Sequence, residues 1–338
     1  MTMKDKKWII IWFISGCLLI LTMVIVGGIT RLTDSGLSMV NWHLFMGVIP
    51  PLNDIQWQET FELYKQYPEY KKLNFNCTLD QFKYIFFWEY LHRMIGRLLG
   101  LVFIIPFIIF LIRKSLSTKL IFQSTILFLM GAMQGGIGWW MVKSGLVDKP
   151  DVSHYRLAVH LTTAFLTCGY TLWVVLPLIF KIKRNFYPKI TKLCWTIFTL
   201  LIIQIIYGAF VAGLNAGIGF NTWPKMGDQW IPQAVYSLSP FWKNFVEAKY
   251  GIQFIHRVLA YVILGAVIFL FYTKQKFALN KVESQAINIV SITTILQVAL
   301  GIFTIIFIVP IELALLHQVG AFFLLMSVIY SLFIFKKD

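Results

Sequence analysis

Long apolar runs broken by short polar segments set the rhythm of the chain. Eight runs read as helices that cross a membrane: residues 8–29, 84–112, 119–142, 154–180, 192–213, 250–272, 285–309 and 312–335. Each is near the roughly 20 residues that span a bilayer core. The segments after the first and fifth runs are long, and the others are short. In the first long segment, Asn53 or Asp54 is placed to cap a short amphipathic helix with Trp57, Phe61 and Tyr64 on one stripe, expected at the membrane interface. Thr78-Leu79-Asp80-Gln81 has the form of a capping box just before the second span. The second long segment, 214–249, carries Asn221-Thr222-Trp223-Pro224 and Trp230-Ile231-Pro232. Interfacial anchoring and a lid over the outer face both suit these aromatic-rich segments. The pattern predicts an all-α integral membrane protein.

Composition agrees. The chain is 58% hydrophobic and 13% charged, with mean hydropathy +0.72, whereas soluble domains carry about 25% charged residues. A net charge of +15 would suit nucleic acid, but the basic residues sit in short clusters between spans, where they act as topology signals. One side holds 16 Lys and Arg against three acids, Asp5, Glu283 and Asp338, which places both termini in the cytoplasm. The first run is too long for a signal-peptide core and there is no Arg- and Ser-rich leader, so a bacterial inner membrane is expected. Cys17, Cys168 and Cys194 lie in or beside spans and read as small buried hydrophobes. Cys77, in the first long loop, has no partner nearby in sequence.

The chain repeats itself. Gly27 to Leu37 aligns without gaps on Gly208 to Ile218, and Trp42 then meets Trp223. Glu89-Tyr90-Leu91-His92-Arg93 meets Gln253-Phe254-Ile255-His256-Arg257. Gln134 to Gly138 meets Gln297 to Gly301, and His160 to Phe165 meets His317 to Phe322. The expected organisation is therefore two four-helix bundles, residues 1–180 and 192–338, joined by a basic cytoplasmic linker at 181–191. An even number of spans per unit makes this a parallel repeat, with an axis along the membrane normal, and excludes an inverted one.

Four of the six histidines are matched by the repeat: His92 with His256, and His160 with His317. His43 and His154 have no mate and are expected at the surface. The matched four enter their spans from the same side, about 10–13 Å below the boundary at 1.5 Å per residue. Two imidazoles facing each other across a bundle suit a six-coordinate haem iron. Zinc suits them less, because neither pair has a third ligand nearby. Arg93, Arg97 and Arg257 are candidates for binding haem propionates; snorkelling to lipid headgroups is the alternative, and it suits Arg156 at a span edge. Gly96, Gly100, Gly135, Gly136 and Gly138 allow close helix or porphyrin approach. The halves differ at one telling position, where the first has Glu89 and the second Gln253. An ionisable acid one helical turn from a haem ligand can take part in chemistry, whereas an amide is inert. The first half is therefore expected to be catalytic and the second to hold a permanent electron-carrying haem. An ion pair between Glu89 and Arg93, at i,i+4, is compatible with this.

These residues resemble the heme A synthase family, and the first loop, with Pro50-Pro51, Trp57, Tyr64-Lys65 and Pro68-Glu69-Tyr70, looks like its mitochondrial-type and alphaproteobacterial branch. The likeness rests on the E-x-x-H-R-x-x-G-R run from Glu89 to Arg97, the Q-x-x-H-R run from Gln253 to Arg257 and the histidines at 160 and 317. It also rests on the G-G-x-T-R-L-T-x-S-G-L-S run from Gly27 and on N-T-W-P-x-M from Asn221, and it extends from Gly27 to Phe323. The resemblance implies oxidation of the C8 methyl of heme O to the formyl of heme A, through a hydroxylated intermediate, for terminal oxidase biogenesis. It implies a substrate haem between His92 and His160, a resident heme b between His256 and His317, and Glu89 as the essential acid. A heme O synthase and terminal oxidase assembly factors are the implied partners, besides membrane lipid; self-association is left open and nucleic acid is not expected. Some bacterial members have a cysteine pair in the first loop, but Cys77 stands alone here, so that redox role does not carry over. A di-haem b-type electron carrier and a haem exporter also explain the histidine pairs, but neither explains why only one half keeps the acid.

Overall fold

The computed structural model describes residues 3–40, 48–146, 151–181 and 185–337. Eight long apolar helices are present: α1 (Met3–Leu32), α4 (Leu79–Ile112), α5 (Thr118–Lys143), α6 (His154–Ile179), α7 (Pro188–Gly213), α8 (Lys249–Lys274), α9 (Lys281–Ile306) and α10 (Ile311–Phe335). They correspond one for one to the eight expected spans. Two short helices, α2 (Asp54–Lys65) and α3 (Pro68–Lys72), lie in the first long loop. His43 and Trp42 fall outside the described residues, as do Lys183 and Arg184 of the basic linker and the C-terminal Asp338.

Several helix ends differ from expectation by three to five residues, two of them for the following local reasons. α4 starts five residues earlier, at Leu79, because the Thr78 capping box closes there. The Gln81 backbone amide donates to Thr78 Oγ1 (3.3 Å) and the Thr78 amide donates to Gln81 Oε1 (2.9 Å). α9 stops at Ile306 because Ile308 and Val309 turn left-handed, with φ of 62° and 58°. That conformation strains β-branched residues and reverses the chain within a few positions.

The eight helices pack in two rings. α1 touches α4, α4 touches α5, α5 touches α6, and α6 returns to α1. The same order recurs as α7, α8, α9 and α10, with α10 returning to α7. The rings meet through α6 with α7, α1 with α10, and α6 with α10. At the α6–α10 seam Phe165 lies edge-on to Phe322, with ring centres 5.3 Å apart, and the repeat makes these two residues mates. A residue touching its own mate is what a two-fold axis requires, so this packing fits the internal repeat.

The same face of the molecule carries both long loops. α1 and α7 end there in matched left-handed residues, Asp34 (φ 48°) and Asn215 (φ 50°), a conformation that Asp and Asn tolerate best among residues with a Cβ. Arg31 joins the two turns. It donates to Asp34 Oδ1 at 3.0 Å, to the Ala212 carbonyl at 2.7 Å and to Asn215 Oδ1 at 2.9 Å.

Asn53 caps α2 by accepting the Gln56 amide proton at 2.9 Å. The apolar stripe of α2 packs on the protruding turn of α4: Phe61 and Tyr64 against Phe82, and Trp57 edge-on to Phe86. Inside this cap Glu69 is buried, with Oε2 accepting the Tyr64 hydroxyl at 2.9 Å, while Asn74 donates to that hydroxyl at 2.8 Å. Burial, aided by the charges of Glu89, Asp34 and Asp151, pushes the Glu69 carboxyl up to about 8.

Candidate functional site

Each matched histidine lies on an even-numbered long helix and rests against a glycine of an odd-numbered neighbour. A Cβ built on Gly27 would stand 3.0 Å from His92 Nε2, and one on Gly138 3.2 Å from His160 Cε1. In the second ring a Cβ on Gly208 would stand 3.3 Å from His256 Cε1, and one on Gly301 2.8 Å from His317 Cε1. Gly27 and Gly208 are repeat mates, as are Gly138 and Gly301, so four imidazoles occupy four equivalent seats. Alanine in any of them would press on the ring.

The two histidines of a pair sit diagonally across their ring, on α4 and α6 or on α8 and α10. Among the described residues, neither diagonal pair of helices is in backbone contact. The imidazoles thus do not lie at a packed seam between their own two helices. In the second ring the centres of His256 and His317 are 6.4 Å apart, with planes at 80°. Metal–nitrogen bonds of about 2 Å on either side of one ion, plus about 1.2 Å from each nitrogen to its ring centre, give about 6.4 Å. The spacing therefore fits two imidazoles on opposite sides of one iron. The buried Nδ1 atoms of His160 and His256 have no hydrogen-bond partner, a cost that a ligand role would explain.

Beside His92, three donors converge on Glu89. Arg93 Nη2 reaches Oε1 at 2.5 Å, and the Ser38 hydroxyl and Met39 backbone amide each reach Oε2 at 2.8 Å. The carboxylate is only 3% exposed, so an acceptor-only group is buried with its partners in place. Arg93 also donates to the Met39 carbonyl at 3.0 Å. The equivalent position in the second ring is wired in the opposite sense. Gln253 Nε2 donates to the Phe220 carbonyl at 3.1 Å, and Phe220 is the repeat mate of Met39. Arg257 donates to the carbonyls of Phe220 (2.7 Å), Thr222 (2.8 Å) and Lys225 (3.3 Å).

The arginines expected near propionates thus have main-chain duties. Arg93 and Arg257 tie the loop-face segments to α4 and α8. Arg97 donates to the Arg93 carbonyl at 3.3 Å. Arg156 donates to the Trp140 carbonyl at 2.6 Å and stacks on that ring at 4.5 Å. His154, expected at the surface, is half-buried; its Nε2 lies 2.9 Å from the Val246 carbonyl and its ring packs on Tyr155 and Phe210. This holds the start of α6 to the second long loop. A cleft of about 450 Å³ is lined by Met39, whose amide binds Glu89, and by Val40, Pro50, Leu52, Leu63 and Phe86 among others.

Sequence reasoning passed over Ser38 and Met39 as partners of Glu89. The repeat alignment held the signal, since it brings residues 38–39 opposite 219–220 just where Glu89 meets Gln253.

Residues 10–329 match the family model of the COX15-CtaA cytochrome oxidase assembly proteins. The chain is 48% identical over 339 residues to the heme A synthase of Flavobacterium psychrophilum, covering 99% of this chain and 100% of that protein. It is 48% identical to that of Flavobacterium johnsoniae over 334 residues, 97% of this chain and 98% of that protein. To the heme A synthase of Parvibaculum lavamentivorans it is 41% identical over 310 residues, 92% of this chain and 89% of that protein.

Proposed function

This chain belongs to the COX15-CtaA family of cytochrome oxidase assembly proteins, and from that premise we propose that it is a heme A synthase, an enzyme that takes heme O as substrate and delivers heme A. The observation that carries the reading is the contrast at one turn of helix: two equivalent histidine pairs, and a carboxylate, Glu89, beside only one of them. An electron carrier or an exporter needs the pairs and has no use for that difference.

In this reading the first ring binds heme O between His92 and His160, which hold the substrate iron and so fix the porphyrin in the bundle. Its C8 methyl is oxidised to the formyl through a hydroxylated stage, which makes the activity an oxidoreduction at a CH group. The carbon must gain an oxygen atom and, with water as its donor, lose four protons and four electrons in all (R–CH3 + H2O gives R–CHO). Glu89 is the base within the first ring, able to take a proton from the methyl carbon or to offset positive charge developing there. Ser38, the Met39 amide and Arg93 hold the carboxylate in place, so it need not reorganise when the methyl group reacts. The second ring suits a resident heme b on His256 and His317, which when bound supplies an acceptor for the electrons. Its residues would do no proton chemistry, since Gln253 cannot take a proton. Arg93, Arg97 and Arg257 stay candidates for the propionates, with the terminal nitrogens of Arg257 already engaged by three carbonyls. The setting we propose is a bacterial inner membrane with both termini in the cytoplasm, near a heme O synthase and oxidase assembly factors.

Extraction of the haems from purified protein tests this. Heme A, or hydroxylated heme O, beside heme b is the expected result. Heme b alone, with added heme O returned unchanged, would sink it.

A further inference from the structure

Three of the four histidine seats share one more feature, and the fourth breaks it. Four residues before Gly138, Gly208 and Gly301 stand Gln134, Gln204 and Gln297. Each glutamine sits one turn from the glycine that carries the imidazole, and each reaches across to the neighbouring helix. Gln134 Nε2 donates to the His160 carbonyl at 3.2 Å and to Thr163 Oγ1 at 2.7 Å. Gln204 Nε2 donates to the His256 carbonyl at 3.0 Å and lies 3.4 Å from that ring's Nε2. Gln297 Nε2 donates to the His317 carbonyl at 2.9 Å and lies 3.1 Å from that ring's Nδ1.

Four residues before Gly27 the chain has Met23. Its terminal methyl runs along α4, 3.4 Å from where a Cβ on Gly96 would be, one turn past His92. Among the described residues no side chain hydrogen-bonds to His92.

Packing alone does not account for the glutamines. The Oε1 atoms of Gln134, Gln204 and Gln297 are buried without a partner, which costs stability in an apolar bundle. Methionine, of similar length, fills the fourth seat without that cost. The amides are therefore retained for what they hold. Each ties the backbone turn of one histidine to the next helix, which fixes the height and heading of its ring. Partners of this kind, which orient a metal ligand, commonly change metal affinity by 10–100-fold when removed.

We propose that Gln134, Gln204 and Gln297 are positioning residues that latch His160, His256 and His317, and that Met23 leaves His92 as the one unlatched ligand. The second ring, latched on both sides, keeps its haem. The first ring, latched on one side, can let go of its own through His92. This rests on the reading that the first ring handles substrate and the second a resident haem, and it adds a physical basis for exchange in one and retention in the other.

The test swaps the two seats in the full-length, haem-loaded protein. Purified parent, Gln204→Met and Met23→Gln proteins are mixed with excess apomyoglobin, and haem transfer is followed by absorbance, with extraction to distinguish heme b from heme O and heme A. Gln204→Met should release heme b about 10–100-fold faster and shift its low-spin electron paramagnetic resonance signal, because ligand orientation changes. Met23→Gln should slow release of the first-ring haem by a similar factor, a gain that damaged folding cannot produce. Release at the parent rate from either variant overturns the proposal. A parent with no haem in either ring overturns the functional reading beneath it, and a parent that binds both haems but ignores the swaps overturns only the latches.

Discussion

The first and last four long helices form the same ring and seat their histidines on the same glycines, yet they hold equivalent loop residues by opposite polarity. Glu89 accepts the backbone amide of Met39, whereas Gln253 donates to the backbone carbonyl of Phe220. The exchange has a knock-on effect. A buried carboxylate needs a cation, so Arg93 is drawn to Glu89 and has one bond left for the loop, to Met39. With an amide in place of the acid, Arg257 is released to bind three successive parts of its loop. Among the described residues, the half with the acid has a buried carboxylate one helical turn from its histidine, and the half without it has an arginine bound to three loop carbonyls. On the proposed reading, this one difference between acid and amide separates a reactive site from a holding site within the same order of helix packing.

That contrast can be broken most completely at the histidines. His256→Ala should abolish the heme b absorption of the purified protein, and His92→Ala should leave it in place; loss of heme b from both variants would mean that the rings are not independent sites. Next in size, Glu89→Gln makes the first ring resemble the second and should lower conversion of heme O by about 10²–10⁴-fold, the usual worth of a general base, with heme b content unchanged. Conversion at the parent rate would end the assignment of Glu89. A smaller effect is expected from Arg31→Leu, which cuts the tie between the matched turns at Asp34 and Asn215. The loss should be about 0.5–1.5 kcal/mol, the net worth of intramolecular hydrogen bonds at a site open to solvent, read as a lower unfolding midpoint in detergent.

The subtlest probe concerns the cap, which the second half lacks. Glu69 ionises only near pH 8 when folded but near pH 4.5 when unfolded. Between these values the unfolded state binds fewer protons, so the cap loses stability as pH rises, by at most about 1.4 kcal/mol per unit, and the slope levels off above pH 8. Glu69→Gln should flatten that slope. Protease resistance of α2 and α3 from pH 5 to 9 would show it, and an unchanged slope would mean that Glu69 is not the titrating group.

Much of this was legible in the chain. Hydropathy alone located all eight long helices, since no other reading fits so many apolar runs of that length. The Thr78 capping box, the Asn53 cap and the α2 stripe are local signals and appear where expected. The repeat located the four histidines and the Glu89–Gln253 difference. What escaped were contacts between elements distant in sequence. Nothing local marks Ser38 and Met39 as partners of a residue fifty positions away, Arg31 as a tie between turns, or His154 as a buried contact of the second loop. The extra turns at the start of α4 were missed because the capping box was read as standing before the helix rather than opening it. The glutamine latches were visible as Q-x-x-x-G at three repeat-related places, but the pattern has meaning only once each glycine is seen beneath an imidazole.

The meeting of Phe165 with Phe322 also says something about ancestry. When two copies of one subunit form an isologous dimer, each residue on the axis touches its own counterpart. Here the counterparts are joined in a single chain, yet the seam between α6 and α10 keeps that arrangement. A four-helix progenitor that paired with itself across this helix would already have had both rings and both histidine pairs, all alike. Duplication and fusion of such a unit would free each copy to change alone. Only after that step could one ring keep an acid at position 89 while the other has an amide at 253, because a true homodimer has to alter both sites at once.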